Sequence, residues 1–170
     1  MLPPAAESER LNMNKENYAG GDYMSVGIVV AAHGELASGF LSAIKLLAGN
    51  ESRVQTAELR AGMEPLDFCD VVAEAIDVAD EGDGVMVFVD LFGGTPSNSA
   101  ARLLGKKHIE VIAGVNLPML LECVMSKDVS LGDLKHQLLM AGAQATVDVR
   151  ARMEEAAERT GEGEDDEDFV

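Results

Sequence analysis

Two runs of the chain are apolar at every position: Val26-Gly27-Ile28-Val29-Val30-Ala31 and Val85-Met86-Val87-Phe88-Val89. A strand with one wet face alternates polar and apolar residues, whereas a strand covered by helices on both faces does not. Both runs therefore predict interior strands of a parallel sheet. Around them the period changes to that of a helix. Leu36, Phe40, Leu41, Ile44 and Leu47 recur at helical spacing over residues 34–48, stopped by Gly49-Asn50. Leu66, Cys69, Val72, Ala73, Ile76 and Ala79 form a second stripe. Residues 53–59 alternate about Val54 and Thr56, as an edge strand does. The pattern then predicts a helix over 96–104, a strand over 108–113 and a helix over Leu117–Met125 opened by Pro118. A helix over 131–141 and a short last strand over 145–149 follow. This alternation predicts a single α/β domain with an open, mostly parallel sheet. Its four parallel strands are expected in the order 2-1-3-4, with strand five at the edge and helices on both faces.

The ends of the chain lack this patterning. Residues 1–24, from Pro3-Pro4 to Gly20-Gly21, are polar and are expected to be a flexible leader; a helix over 7–16 would have no apolar face to bury. Residues 154–170 hold nine acids and one base, Arg159, and are expected to be a disordered acidic tail. The folded domain is thus expected over 25–153. A net charge of −17 argues against nucleic acid or an anionic membrane surface and favours a basic protein partner. No apolar run approaches the roughly 20 residues a membrane helix needs, and none reads as a secretory signal, so a cytoplasmic protein without direct membrane insertion is expected. Cys69 and Cys123 are far apart, which fits reduced core thiols rather than a disulfide or a metal site. No cofactor is implied. Met119, Met125, Met140 and Met153 are expected to fill the core. His108 and His136, each beside a lysine, are expected to face solvent, and the sequon Asn50-Glu51-Ser52 carries no meaning in a cytoplasmic protein.

The chemistry is concentrated where the two apolar strands end. The first leads to His33-Gly34 and the other to Asp90, followed by Leu91-Phe92-Gly93-Gly94-Thr95-Pro96-Ser97-Asn98. In an open parallel sheet the carboxyl ends of the strands share one edge, and ligands sit where neighbouring connections diverge. If the two strands are neighbours, His33 and Asp90 meet there. Gly93-Gly94 admits close backbone approach, Thr95 suits an N-cap and Pro96 a first helical position. The amides of that helix start, with Thr95 Oγ, could hold phosphoryl oxygens. A neutral imidazole is a competent nucleophile toward phosphorus, and Asp90 would accept one ring N–H and leave the other nitrogen's lone pair free. Each feature alone has an ordinary reading, as a loop histidine, a helix-entry acid or a common loop-to-helix turn.

Three segments in order carry a more specific signal: Val26 to Gly34, Val89-Asp90-Leu91-Phe92-Gly93-Gly94-Thr95-Pro96-Ser97-Asn98, and Gly114-Val115-Asn116-Leu117-Pro118-Met119-Leu120-Leu121-Glu122. Together they closely resemble the enzyme IIA component of mannose-class bacterial sugar phosphotransferase systems. The resemblance spans 25–149. It implies that His33 takes phosphate from phospho-HPr and passes it to a histidine of enzyme IIB, driving uptake of a mannose-, fructose- or sorbose-class sugar through the membrane components IIC and IID. It also implies that Asp90 is the hydrogen-bond partner of His33, that Gly34, Gly93, Gly94 and Thr95 line the phosphoryl site, and that the protein is a homodimer exchanging its last strand, here 145–149. Nothing after Met153 could fold as a IIB domain, so IIB is expected on a separate chain. Three alternatives stay open: a phosphoryl-donor subunit for dihydroxyacetone kinase, a receiver phosphorylated on Asp90, and a non-catalytic binding module.

Overall fold

The chain folds as β1 (Gly27–His33), α1 (Leu36–Ala48), β2 (Val54–Leu59), α2 (Pro65–Ala79), β3 (Val85–Val89), α3 (Thr95–Ala101), β4 (Ile109–Ala113), α4 (Leu117–Met125), α5 (Leu131–Gln144) and α6 (Val149–Gly161). This computed structural model describes residues 25–49 and 53–161. The leader over 1–24 with its candidate helix, the sequon at 50–52 and residues 162–170 lie outside the described residues.

The four strands form one sheet in the order β2-β1-β3-β4, and every pairing is parallel. β1 and β3 are the inner strands, which is why their sequences are apolar on both faces. Ile28, Val30 and Ala32 of β1, with Met86 and Phe88 of β3, point to the face covered by α1, α4 and α5, where Ile44, Leu120, Cys123 and Leu138 close the core. Val29 and Ala31, with Val85, Val87 and Val89, point to the opposite face, covered by α2 and α3 through Phe68, Val72, Ile76 and Ala100. The crossover from β1 to β2 uses the first face. Those moving the other way across the sheet, β2 to β3 and β3 to β4, use the second, as a single handedness requires.

Several expectations shift. No fifth strand forms among the described residues. The segment 145–148 is irregular, because the Asp148 side chain accepts from the Ala151 N–H at 3.2 Å and its carbonyl from the Arg152 N–H at 3.1 Å. Those bonds start α6 instead of a strand. α6 then runs past Met153 into the acidic segment, supported by Arg152 and Arg159 pairing with Glu155 at 3.3 and 3.7 Å. Its described side chains face solvent. α3 ends at Ala101 rather than at 104, because the next amides bond three residues back, Leu103 to Ala100 and Leu104 to Ala101, and tighten the chain into a turn. Of the four methionines only Met119 is buried; Met125 ends α4, Met140 lies on the outer face of α5 and Met153 on α6, all exposed. The stripe of α1 is centred on Ala37 and Ile44, leaving Leu36 and Leu47 outside, and in α2 Phe68 enters the core while Leu66 does not. Cys123 is buried and Cys69 half-buried; His108 and His136 are exposed, as the sequence implies.

Helix packs tightly on sheet at Gly27, where a Cβ would overlap the carbonyl oxygen of Ala79 at the end of α2. Since that neighbour is backbone, it cannot rotate away. Gly27→Ala is expected to lower the unfolding free energy by about 2–3 kcal/mol, read as a lower urea midpoint with unchanged slope.

Candidate functional site

β1 and β3 are neighbours whose following helices, α1 and α3, leave to opposite faces. Their carboxyl ends therefore flank the crevice where a parallel sheet receives ligands. His33 is the last residue of β1, and Asp90 directly follows β3. The structure brings them into contact: His33 Nδ1 lies 2.7 Å from Asp90 Oδ2.

Asp90 is held from three directions. Its Oδ2 also accepts the backbone N–H of His33 at 3.0 Å, and its Oδ1 accepts the N–H of Leu91 at 2.9 Å. Burial works against ionisation, but the His33 amide, the His33 ring and the Leu91 amide outweigh it and hold the carboxyl below its ordinary value. An ionised carboxylate only accepts hydrogen bonds, so the proton between it and the ring belongs to His33 Nδ1. That assigns the lone pair to Nε2. The Asp90 side chain is 11% exposed and the His33 side chain 44%. One ring nitrogen is anchored inward; the ring as a whole remains open to solvent.

Gly94 closes the other side. A Cβ there would stand 3.0 Å from His33 Cε1 and 3.1 Å from Leu91 Cδ1, so the bare glycine backbone lets the ring come close to the loop. Gly94 caps α3 in an extended conformation, and Thr95 is its first helical residue. The helix thus starts one residue earlier than expected, with Gly94 in the place assigned to Thr95. Gly93, with φ 84°, precedes it; its carbonyl accepts from Asn98 Nδ2 at 3.1 Å, tying the turn to α3. Gly34, φ 57°, turns the chain away from His33 and donates its N–H to Leu59 at 2.9 Å. All six expected residues, His33, Gly34, Asp90, Gly93, Gly94 and Thr95, thus lie at or just after the carboxyl ends of β1 and β3, on one sheet edge. Sequence reasoning left out of the site Leu36, the first residue of α1, and Leu91 and Phe92 of the loop after β3, all three exposed. The signal was present, since Leu91-Phe92 interrupts an otherwise polar and glycine-rich turn. No group of three or more potential metal ligands occurs among the described residues.

Residues 27–139 match the family model described as the fructose IIA component of the phosphotransferase system. The chain belongs to this mannose-class IIA family. It is 35% identical over 106 residues to the mannose-specific EIIAB component of Escherichia coli, covering 62% of this chain and 33% of that protein. The chain therefore spans about a third of the length of that relative. It is 29% identical to the sorbose-specific EIIA component of Lacticaseibacillus casei, covering 74% and 92% of the two chains. Its fold superposes with a TM-score of 0.69, at 28% identity, on the IIA protein associated with the fucose utilization operon of Streptococcus pneumoniae, over 76% of this chain and 97% of that one. None of the described helices is long and apolar enough to cross a membrane.

Two outcomes follow from the geometry. Because the carboxyl of Asp90 ionises more readily when folded, its stabilising effect is complete above the ordinary value of 3.8 and is lost as pH falls through the lower folded value. The stability difference between wild type and Asp90→Asn is therefore expected to be constant near neutrality and to shrink below pH 3.8, as measured by urea unfolding. Gly94→Ala is expected to keep the fold while displacing the ring, seen as a shift of the His33 Cε1–H resonance; an unmoved resonance would show that the loop absorbs the methyl group.

Proposed function

We propose that the protein is the IIA phosphoryl carrier of a sugar phosphotransferase system, taking phosphate on His33 from phospho-HPr and passing it to a histidine of a separate enzyme IIB. One observation carries this reading: a histidine ring whose Nδ1 is held by a carboxylate at 2.7 Å while the ring stays substantially exposed on the rim of the sheet. Nε2 attacks the phosphorus of the donor phosphohistidine, the new N–P bond forms and the donor's N–P bond breaks. The pair of electrons of the broken bond returns to the donor ring. Positive charge grows on the His33 ring as it is phosphorylated, and Asp90 stabilises it through the Nδ1–H without taking the proton. The reverse sequence loads IIB.

Gly34, Gly93, Gly94 and Thr95 line the phosphoryl group in this reading. The first amides of α3 have no intrahelical acceptor and, with the Thr95 hydroxyl, would receive its oxygens. The sugar is of the mannose, fructose or sorbose class and is handled by membrane components IIC and IID, so it need not touch this chain. The protein works in the cytoplasm as a homodimer. Phosphorylation on Asp90, as in a receiver, is less consistent with a carboxylate whose two oxygens already accept three N–H groups.

Incubation with enzyme I, HPr and phosphoenolpyruvate is expected to label the wild-type protein with an acid-labile, base-stable phosphate. His33→Ala should take no label, and Asp90→Asn should label about 10²- to 10⁴-fold more slowly because an amide can present the wrong partner to Nδ1. Normal labelling of His33→Ala would refute the proposal. Delivery of the label to IIB but not to a dihydroxyacetone kinase subunit would separate the sugar pathway from the kinase one.

A further inference from the structure

A trans peptide carries its carbonyl oxygen on one side and its N–H on the other, and no cis bond occurs among the described residues. In the peptide joining Gly93 to Gly94, the carbonyl oxygen lies 3.1 Å from Asn98 Nδ2. A carbonyl only accepts, so the side-chain atom facing it is the amide nitrogen. The backbone N–H of Asn98 also donates to the Gly94 carbonyl, at 2.9 Å. One residue thus grips two successive carbonyls. Its side chain is exposed, whereas its helix neighbours Ser97, Ser99 and Ala100 are buried, so Asn98 adds nothing to the core. What its amide does is orient one peptide plane.

Between two glycines that plane has little else to hold it. Rotating it by about 180° exchanges carbonyl and N–H and takes the φ of the second residue to positive values, which glycine alone accepts freely. Gly94 now stands at φ −75°, and Gly93 is already at φ 84°. The backbone therefore tolerates both orientations, and the Asn98 bond selects one. The choice matters because Gly94 adjoins the reacting ring: its Cβ would stand 3.0 Å from His33 Cε1, the atom bonded to Nε2. Beside a negatively charged phosphoryl group an N–H attracts and a carbonyl oxygen repels.

We propose that Asn98 is a positioning residue for phosphoryl transfer, locking the Gly93–Gly94 peptide with its carbonyl turned to α3 and the Gly94 N–H presented to a phosphoryl oxygen. This rests on the carrier reading above. Asn98 itself touches neither the ring nor the phosphoryl group. The Gly94 N–H keeps its proton throughout, and the only covalent bonds exchanged are the two N–P bonds of the transfer.

Rapid-quench transfer from purified phospho-HPr to the full-length chain tests this, alongside the amide resonance of Gly94. In wild type that resonance is expected to move downfield on phosphorylation. Asn98→Ala should lose most of the movement and slow the saturating transfer rate by about 10²-fold, with KM held within about twofold. Asn98→Asp keeps the size of the side chain and places a carboxylate near a helix start, which favours the helix, yet an ionised carboxylate donates nothing. It is expected to keep the wild-type urea midpoint and still transfer slowly, a split that a merely structural role does not produce. Wild-type rates in Asn98→Ala, slowing that appears only in KM, or a Gly94 resonance indifferent to phosphorylation or to the substitution would overturn the assignment. Wild-type protein that takes no label from phospho-HPr would overturn the carrier reading itself, and the role of Asn98 with it.

Discussion

The bond between His33 and Asp90 depends on two strands ending side by side. The two residues are 57 positions apart and meet because β1 pairs with β3 in parallel, Ala31 opposite Val89. The same carboxylate that orients the ring also accepts the amide of His33, so the strand end and the side chain are fixed by one group. Loss of register between β1 and β3 by a single residue would break both bonds and turn apolar side chains to the wrong face. Sheet packing and site geometry are therefore a single constraint.

That constraint explains the division of exposure within the pair. The carboxylate sits low, where three N–H donors compensate for its partial removal from water. The imidazole sits above it. Gly94 then determines how near the loop comes to the ring, and its lack of a side chain is what lets the start of α3 lie beside Cε1. The helix terminus, the carboxylate and the ring are positioned by backbone, not by long side chains that would have to be ordered on binding.

Much of this was legible in the chain. Runs apolar on both faces marked the inner strands, and the polar residues at their ends, His33 and Asp90, are the ones the structure brings into contact, because both signals come from local composition. The failures share a cause, too. The stripes expected in α1 and α2 include Leu36, Leu47 and Leu66, whereas helix orientation against the sheet is set by tertiary packing, which leaves these three outside and takes Phe68 inside. The weakly patterned segment at 145–149 was read as a strand, but a strand needs a paired edge, while a helix needs only a cap, and Asp148 supplies one. Acidic composition suggested that the chain is structureless after Met153; local ion pairs between arginine and Glu155 favour a helix there without any core.

The scale of the substrate is also written in the shape of the surface. Small-molecule enzymes enclose their ligand in a concave, mostly apolar cavity. A groove of about 380 Å³ lies beside β2 and is lined by Thr56, Glu58, Arg60, Met63 and Val71. It contains neither His33 nor Asp90, and Glu58 within it is held below its ordinary value by Ser38 and Arg60, as an ion-paired surface carboxylate is. The His33 ring is 44% exposed at the carboxyl edge of the sheet, and Leu36 at the start of α1 and Leu91 and Phe92 after β3 are exposed as well. A site of this form cannot exclude water by itself. In the proposed carrier reading the partner protein completes it, as expected of a group passed from one protein to the next.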